Sequence, residues 1–284
     1  MAVLRVGALL VALVALAACA ATPAPERDRT SDAVGLVDIA AALAGEFVSV
    51  RQASDDAEPT LLRVDAEPAS SGVILIMTQQ RAETERVFEL QLMSGASDGS
   101  FDARFIPLQA GRSAAGPACD MRFRLAAGLL VGVTDPAECR FRSDGRSIGL
   151  LKEIAFEGDR VLMADQLVLE DGSLWGEPDQ LTLVRVARFR GMLARSEAGH
   201  WRIARNLRLA SGGNLVEPLD AAGMSLGLLL NLESVESMDR QLPALRLQVM
   251  EEGSGRVIAE VWSNLEAGMI GLGLDDLRIE LQRE

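Results

Sequence analysis

The sequence predicts a mainly all-β protein with one short N-terminal helix. Short runs of alternating apolar and polar residues recur about ten times between residues 47 and 187, at intervals of roughly ten residues. Turn signals such as Gly128 and Gly158-Asp159 separate neighbouring runs. Evenly spaced strands with almost no helix favour an up-and-down antiparallel β-barrel or a β-sandwich. A barrel of eight or more strands has room for one small ligand.

Residues 1–19 have the pattern of a bacterial lipoprotein signal peptide. Arg5 supplies a positive n-region, and residues 6–16 form an apolar stretch that is too short for a comfortable membrane span. Leu16-Ala17-Ala18-Cys19 then resembles a lipobox, in which the cysteine is acylated. Several acyl chains on one residue give stable membrane anchoring, so we expect a lipid anchor at Cys19. The alternative is an ordinary secretory peptide in which Cys19 is incidental.

The residues after Cys19 indicate a location and a tether. Ala20 follows the cysteine, where inner-membrane lipoproteins carry a retention aspartate, so we expect the periplasmic side of the outer membrane. Residues 20–35 are rich in Ala, Thr, Pro and charged side chains. Such a segment cannot bury a core, and it is predicted to be a flexible tether.

The folded part is predicted to contain two regions. Residues 36–189 are predicted to form the barrel. A short helix at 32–43, capped by Ser31 or Asp32, is expected at the start of this region. Residues 190–284 contain further strand patterns and form a smaller β-rich domain or an extension of the barrel. A short helix is expected at 233–242.

Composition excludes several classes of function. The net charge is −13, with 41 acidic and 28 basic residues, which disfavours nucleic-acid binding because phosphate contacts need excess Lys and Arg. His200 is the only histidine, so no two-histidine metal site can form. No glycine-rich phosphate loop follows a strand and opens a helix. Lys152 is the only lysine and tyrosine is absent, and we attribute both to biased genome composition.

Cys119 and Cys139 remain once Cys19 is assigned to the lipid anchor. In an exported protein two remaining cysteines form a disulfide by default. The alternatives are a metal-binding pair, which lacks further ligands, and a nucleophilic thiol, which needs a base within reach.

Arg86 and Trp175 are the candidate ligand-binding residues. Arg86 lies in a strand beside Val87 and Phe88. An arginine that faces into a barrel is costly unless it is paired, and it would bind a carboxylate well, but alternation leaves its orientation open. Trp175, between Gly172 and Gly176, is either a core or rim aromatic or a residue at a pocket mouth. No catalytic residue can be assigned.

Several sequence blocks between residues 36 and 188 occur in the order and spacing of a known family. Along the chain they are 38–47 ending Ala-Gly-Glu-Phe, Glu85-Arg86-Val87-Phe88-x-Leu90, Cys119-Asp120, Gly132-x-Thr134, Cys139, Asp165 and Gly172-x-x-Trp175-Gly176. The set resembles the CpcT/CpeT family of phycobiliprotein chromophore lyases. The resemblance implies a lipocalin-like antiparallel barrel that holds a linear tetrapyrrole (bilin) and transfers it to a cysteine of a partner protein.

Two departures from the family pattern decide the order of the functional hypotheses. Met77-Thr78-Gln79 stands where the family strand carries Val-Glu-Gln, and the pocket tyrosines are absent. We therefore expect first an envelope lipoprotein whose barrel binds a small hydrophobic or amphipathic ligand, including a carboxylated one. The alternatives are a bilin lyase, and a structural lipoprotein with a filled barrel that binds another envelope protein.

Overall fold

The structure is a computed structural model. Strands make up 71% of the structure and helix 3%, so the predicted all-β class is confirmed. The residues that the structure describes are 35–52, 58–95, 99–109, 112–143, 145–236 and 243–284. The predicted signal peptide, Cys19 and most of the predicted tether lie outside these segments.

The described residues form one helix and twenty strands. Their bounds are α1 (Leu36–Leu43), β1 (Gly45–Ser49), β2 (Arg51–Gln52), β3 (Thr60–Ala69), β4 (Gly72–Arg81), β5 (Thr84–Ser94), β6 (Ser100–Leu108), β7 (Cys119–Ala126), β8 (Leu129–Thr134), β9 (Arg140–Ser143), β10 (Arg146–Glu157), β11 (Arg160–Val168), β12 (Leu174–Arg185), β13 (Arg188–Glu197), β14 (His200–Ala210), β15 (Gly212–Val216), β16 (Leu228–Glu236), β17 (Pro243–Glu251), β18 (Val257–Asn264), β19 (Met269–Gly273) and β20 (Leu277–Arg283).

Ten strands close into an antiparallel barrel. Their order around the ring is β12-β1-β3-β4-β5-β6-β7-β8-β10-β11, and the ring closes because β11 pairs with both β10 and β12. The connections are mostly tight hairpins. Between β7 and β8, for example, Ala127 and Gly128 both have positive φ, as a two-residue turn matched to strand twist requires. The barrel prediction is therefore confirmed, and the sandwich alternative is wrong.

The barrel interior is an apolar core. In β7 the buried Cys119, Met121 and Phe123 alternate with exposed residues, and the other strands contribute their inward positions to the same cluster. Helix α1 adds Ile39 and Leu43 to this cluster. The helix begins after Gly35, whose N–H donates to Asp38 Oδ2, so its start lies later than expected and the predicted caps are outside the described residues.

The C-terminal strands form two further sheets around a second, leucine-rich core. One sheet has the order β14-β13-β20-β19, and the other has the order β15-β16-β17-β18. Strand β2, from the N-terminal region, pairs in parallel with β16. Residues Val34–Glu284 form one compact unit, and the predicted boundary at 189/190 falls inside β13. The division into two domains stays a prediction.

The helix expected at 233–242 is wrong over 233–236. These residues belong to β16, which pairs with β17 from Leu228 to Glu236 and buries Glu233, Ser234 and Val235. Tertiary pairing and burial decide the conformation here, because the local sequence is compatible with either state. The rest of that range lies outside the described residues.

Candidate functional site

A cavity of about 600 Å³ opens at one end of the barrel. It lies where β5, β7 and β10 begin and where β6 and β11 end. Its wall combines aromatic and aliphatic side chains with the disulfide and a few charged groups. The wall includes Arg86, Phe88, Phe105, Cys119, Cys139, Arg142, Leu150, Lys152 and Asp165.

The structure settles the orientation of Arg86. Two and four residues further along β5, Phe88 packs against the barrel core cluster and Leu90 belongs to it. Strand alternation therefore directs Arg86 to the same face, where it lines the cavity. Arg86 lies near the first residue of β5, is exposed and lines the cavity, so it lies at the cavity rim.

Lys152 and Asp165 form an ion pair on the cavity wall. The two residues are directly opposite each other on β10 and β11, and Lys152 Nζ donates a hydrogen bond to Asp165 Oδ1 at 2.7 Å. Lys152 is only 1% exposed, whereas the Asp165 side chain keeps 34% of its exposure. The pair thus has a buried cationic side and a carboxylate that remains open to the cavity.

Two phenyl rings hold the ammonium group of Lys152. Its Nζ lies 5.1 Å from the centroid of Phe88 and 5.0 Å from that of Phe105, and the two ring centroids are 5.3 Å apart. Cation–π attraction and the ion pair together offset the desolvation of the lysine. The site is therefore built to hold a single positive charge in a largely apolar wall.

Thr134 fixes the backbone beside Lys152. Regular pairing of β8 with β10 ends at Val133, and the buried Thr134 hydroxyl continues the ladder. Its Oγ1 donates to Leu150 O at 2.7 Å and accepts from the Lys152 N–H at 2.8 Å. This side chain satisfies two buried backbone groups and so keeps the strand in place below the cavity.

The predicted disulfide between Cys119 and Cys139 is present. It joins the first residue of β7 to the residue before β9, and both cysteines line the cavity. Because both sulfurs are bonded to each other, the alternatives of a metal-binding pair and a nucleophilic thiol are wrong.

The charged groups around the cavity are mainly cationic. The cavity wall carries three cationic side chains (Arg86, Arg142 and Lys152) and one carboxylate (Asp165), although the net charge of the chain is −13. The charge of Lys152 is balanced by that of Asp165, whereas neither Arg86 nor Arg142 has a carboxylate partner among the described residues. The rim therefore offers two guanidinium groups, which bind carboxylates in a bidentate geometry.

Trp175 does not line this cavity. It lies in β12, opposite Leu167 of β11, and is 38% exposed. The Gln166 amide donates to its backbone carbonyl at 3.5 Å, next to a register shift between β11 and β12. Its role in ligand binding stays a prediction, and the structure does not bring it together with Arg86.

A larger depression of about 840 Å³ lies on the outer face of β6, β7 and β8. Asp120, Arg122 and Arg124 line it, and they alternate with the inward-facing Met121 and Phe123. Its wall mixes acidic and basic side chains with apolar ones and is more polar than the wall of the barrel-end cavity, whereas small-molecule sites are usually lined mainly by apolar groups. The barrel cavity is the better candidate site.

Sequence reasoning missed Lys152 and used Asp165 only as a marker of family resemblance. The signal was present: Lys152 interrupts the inward apolar series Ile148, Leu150, Ile154 and Phe156 of β10. A charged residue in the buried phase of an alternating strand marks either a pair or a site. The single lysine is therefore a structural feature of the cavity and not merely a result of composition.

Other kinds of site and membership of a known family find no support. No group of three or more His, Cys, Asp or Glu side chains within the described residues could hold a metal ion. The described part of the chain contains no helix with the length and hydropathy needed to cross a membrane. No family model matches the chain, and no curated protein matches it. The CpcT/CpeT resemblance stays a prediction.

Proposed function

We propose that this protein is a lipid-anchored envelope protein whose barrel binds a small amphipathic anion. The observation that carries the ligand part is the barrel-end cavity, which has an aromatic wall and an excess of cationic side chains. Phe88, Phe105 and Leu150 supply the apolar surface, and the rim arginines Arg86 and Arg142 supply the anion site. Apolar lining with a few convergent polar groups is typical of small-molecule sites.

The two parts of the ligand would be recognised by different physical terms. Burial of an apolar chain against the phenyl rings contributes roughly 25 cal/mol for each Å² removed from water. A carboxylate at the rim adds charge-assisted hydrogen bonds to guanidinium groups that have no carboxylate partner among the described residues. The first term gives most of the affinity, and the second selects anionic ligands over neutral ones.

A dansylated undecanoic acid tests this proposal with the purified chain and the disulfide intact. Transfer of the probe into the cavity should raise its fluorescence and shift its emission to shorter wavelength. The matching primary amide should bind about tenfold more weakly, because it cannot form the charge-assisted contacts. Equal binding of acid and amide would contradict the proposed anion site. Absence of a signal at high micromolar concentration would contradict the proposed ligand pocket.

A matched pair of variants localises the anion site. Arg86→Gln should weaken binding of the acid about tenfold and leave binding of the amide unchanged. Arg104→Gln is the control, because Arg104 lies in the neighbouring strand β6, is exposed, and is outside the cavity wall. The proposal predicts no change for Arg104→Gln.

Biliverdin tests the lyase alternative in the same assay. A red-shifted, sharpened absorption band that Arg86→Gln weakens would favour a linear tetrapyrrole as the ligand, since its propionates would reach the same arginines. Absence of any spectral change would remove the bilin and lyase hypotheses and leave the proposal of a smaller amphipathic anion.

The lipid anchor is tested by metabolic labelling in a bacterial host with an alkyne analogue of palmitate. We expect a labelled protein in the outer-membrane fraction. The Cys19→Ser variant should carry no label and should be absent from that fraction. A wild-type chain that is cleaved before Cys19 without labelling, or released as a soluble periplasmic protein, would contradict the anchor.

A further inference from the structure

We infer that Lys152 and Asp165 form a covalent capture site for an aldehyde, with Lys152 as the nucleophile and Asp165 as the acid–base group. The inference rests on the proposed function, because the same cavity must hold the ligand. The ligand class that fits both ends of the cavity is an ω-oxo carboxylic acid, with its aldehyde at Lys152 and its carboxylate at the rim.

The placement of the pair is the first argument. A nucleophile needs a base within hydrogen-bond reach, and Lys152 Nζ lies 2.7 Å from Asp165 Oδ1. A buried lysine–aspartate pair is generally no more stabilising than apolar side chains of the same size. The only lysine of the chain is therefore placed, at no gain in stability, on the wall of the cavity that would hold the ligand.

The charge of the product is the second argument. A protonated imine carries one positive charge at the nitrogen that was the ammonium group. Asp165, Phe88 and Phe105 already surround that nitrogen with a carboxylate and two ring faces. The surroundings that hold the ammonium therefore also hold the iminium, whose counter-ion would be Asp165.

The reaction can be written with all protons accounted for. Asp165 first takes a proton from the Lys152 ammonium, which leaves a free amine and a neutral acid. The amine attacks the aldehyde carbon, the carbonyl π bond opens, and the acid protonates the new oxygen. Asp165 then removes an N–H proton and returns it to the hydroxyl group, which leaves as water. The net change is ammonium plus aldehyde to iminium plus water, with no oxidant or reductant.

The second polar group of the ligand follows from the position of Arg86. Lys152 Nζ lies against the Phe88 ring, and Arg86 is two residues along the same strand, or about 7 Å away along the backbone. A medium-length chain would therefore place a carboxylate at the rim while its aldehyde meets Lys152. Neutral aldehydes lack this second contact and should react more slowly.

Reductive trapping tests the inference with the full chain. The protein is incubated with 9-oxononanoic acid and cyanoborohydride near neutral pH and then mapped by peptide mass spectrometry. Because Lys152 is the only lysine of the sequence, an adduct on an ε-amino group can appear in one peptide only, and an adduct on an α-amino group would be found in a different peptide. We expect one reduced adduct, on Lys152, formed at least about tenfold faster than with nonanal.

Two variants separate capture from structure. Lys152→Arg keeps the positive charge beside Asp165 but has no primary amine, so it should lose the internal adduct; displacement of the dansyl probe by nonanoic acid, measured on the same variant, shows whether the cavity is still formed. Asp165→Asn should slow adduct formation at least about tenfold, and Asp165→Glu, which restores a carboxylate, should recover most of that rate. A merely structural role of Asp165 would instead weaken the binding of nonanoic acid in parallel with adduct formation.

The outcomes distinguish the inference from the proposed function. Displacement of the dansyl probe by nonanoic acid, with no adduct from 9-oxononanoic acid beyond that of Lys152→Arg, would overturn covalent capture and leave ligand binding intact. Absence of both binding and adduct would overturn both. Equal trapping of nonanal and 9-oxononanoic acid would overturn the assignment of the ligand as an oxo acid.

Discussion

Lys152 and Asp165 lie directly opposite each other on β10 and β11, and their side chains are joined at 2.7 Å on the wall of the barrel cavity. The two partners differ in environment, because Lys152 is buried and Asp165 is partly open to solvent. This asymmetry determines how a substitution of either residue should affect the stability of the fold.

Asp165→Asn should destabilise the fold more than Lys152→Met. The asparagine leaves a buried ammonium without its counter-ion, which we expect to lower the free energy of unfolding by about 2 kcal/mol, less than for a fully buried pair because water can reach the site. Lys152→Met leaves a carboxylate that water can solvate, and the loss should be about 1 kcal/mol or less. Urea denaturation at pH 7 measures both values, and equal losses would contradict the asymmetry.

Reduction of the Cys119–Cys139 disulfide should lower the free energy of unfolding by about 3 kcal/mol. The two cysteines are 20 residues apart, and the figure follows from the entropy of the closed loop in the unfolded chain. The urea midpoint with and without reductant measures the effect. A Cys119→Ala/Cys139→Ala variant is the control, and a midpoint that shifts with reductant in that variant would show that the disulfide is not the cause.

Gly132→Ala should destabilise the barrel by about 2 kcal/mol through overpacking. Gly132 in β8 lies opposite Phe123 in β7, and a methyl group there would overlap the fully buried Phe123 ring. The ring cannot move aside, because the core around it is close-packed. Gly268→Ala is the matched control, since nothing lies within 4 Å of a side chain at that position. A thermal melt that gave the same shift for both variants would disprove the packing explanation.

Asp220 should make stability depend on pH in the acid range. The Arg202 guanidinium, which donates to Oδ2 at 2.7 Å, and the N–H groups of Met224 and Ala222 hold the pKa of Asp220 below its usual value. A lowered pKa in the folded state means that this contribution is present above the unfolded pKa and is lost as pH falls through the folded pKa.

Asp220→Asn should therefore be less stable than the wild type at pH 7, and the difference should shrink between about pH 5 and about pH 2. Urea midpoints across this range measure the change. Arg202→Gln should reduce the same acid-range dependence, because it removes the largest cause of the pKa shift. A difference that stayed constant down to about pH 2 would exclude Asp220 as the source.

Local pattern was sufficient for many elements but not for the site. Recurrent alternation predicted the strands, and in β7 the structure shows the same alternation in burial, while the cysteine count favoured the disulfide. The same alternation applied to β10 places Lys152 inward. This signal was missed because the single lysine was attributed to biased genome composition. The short helix expected at 233–242 was wrong over 233–236 because pairing with β17 is a long-range effect that local propensity does not contain.

The sequence by itself determined the all-β class, the two faces of most strands and the pairing of Cys119 with Cys139, because period-two alternation and cysteine number are local or countable properties. Only the tertiary structure decided that β11 closes the ring with β12, and with it that one cavity has Arg86, Lys152 and Asp165 in its wall. Arg86 and Lys152 are far apart along the chain. Their place in the wall of the same cavity depends on the register of several successive strand pairs, which is set by packing across the whole barrel.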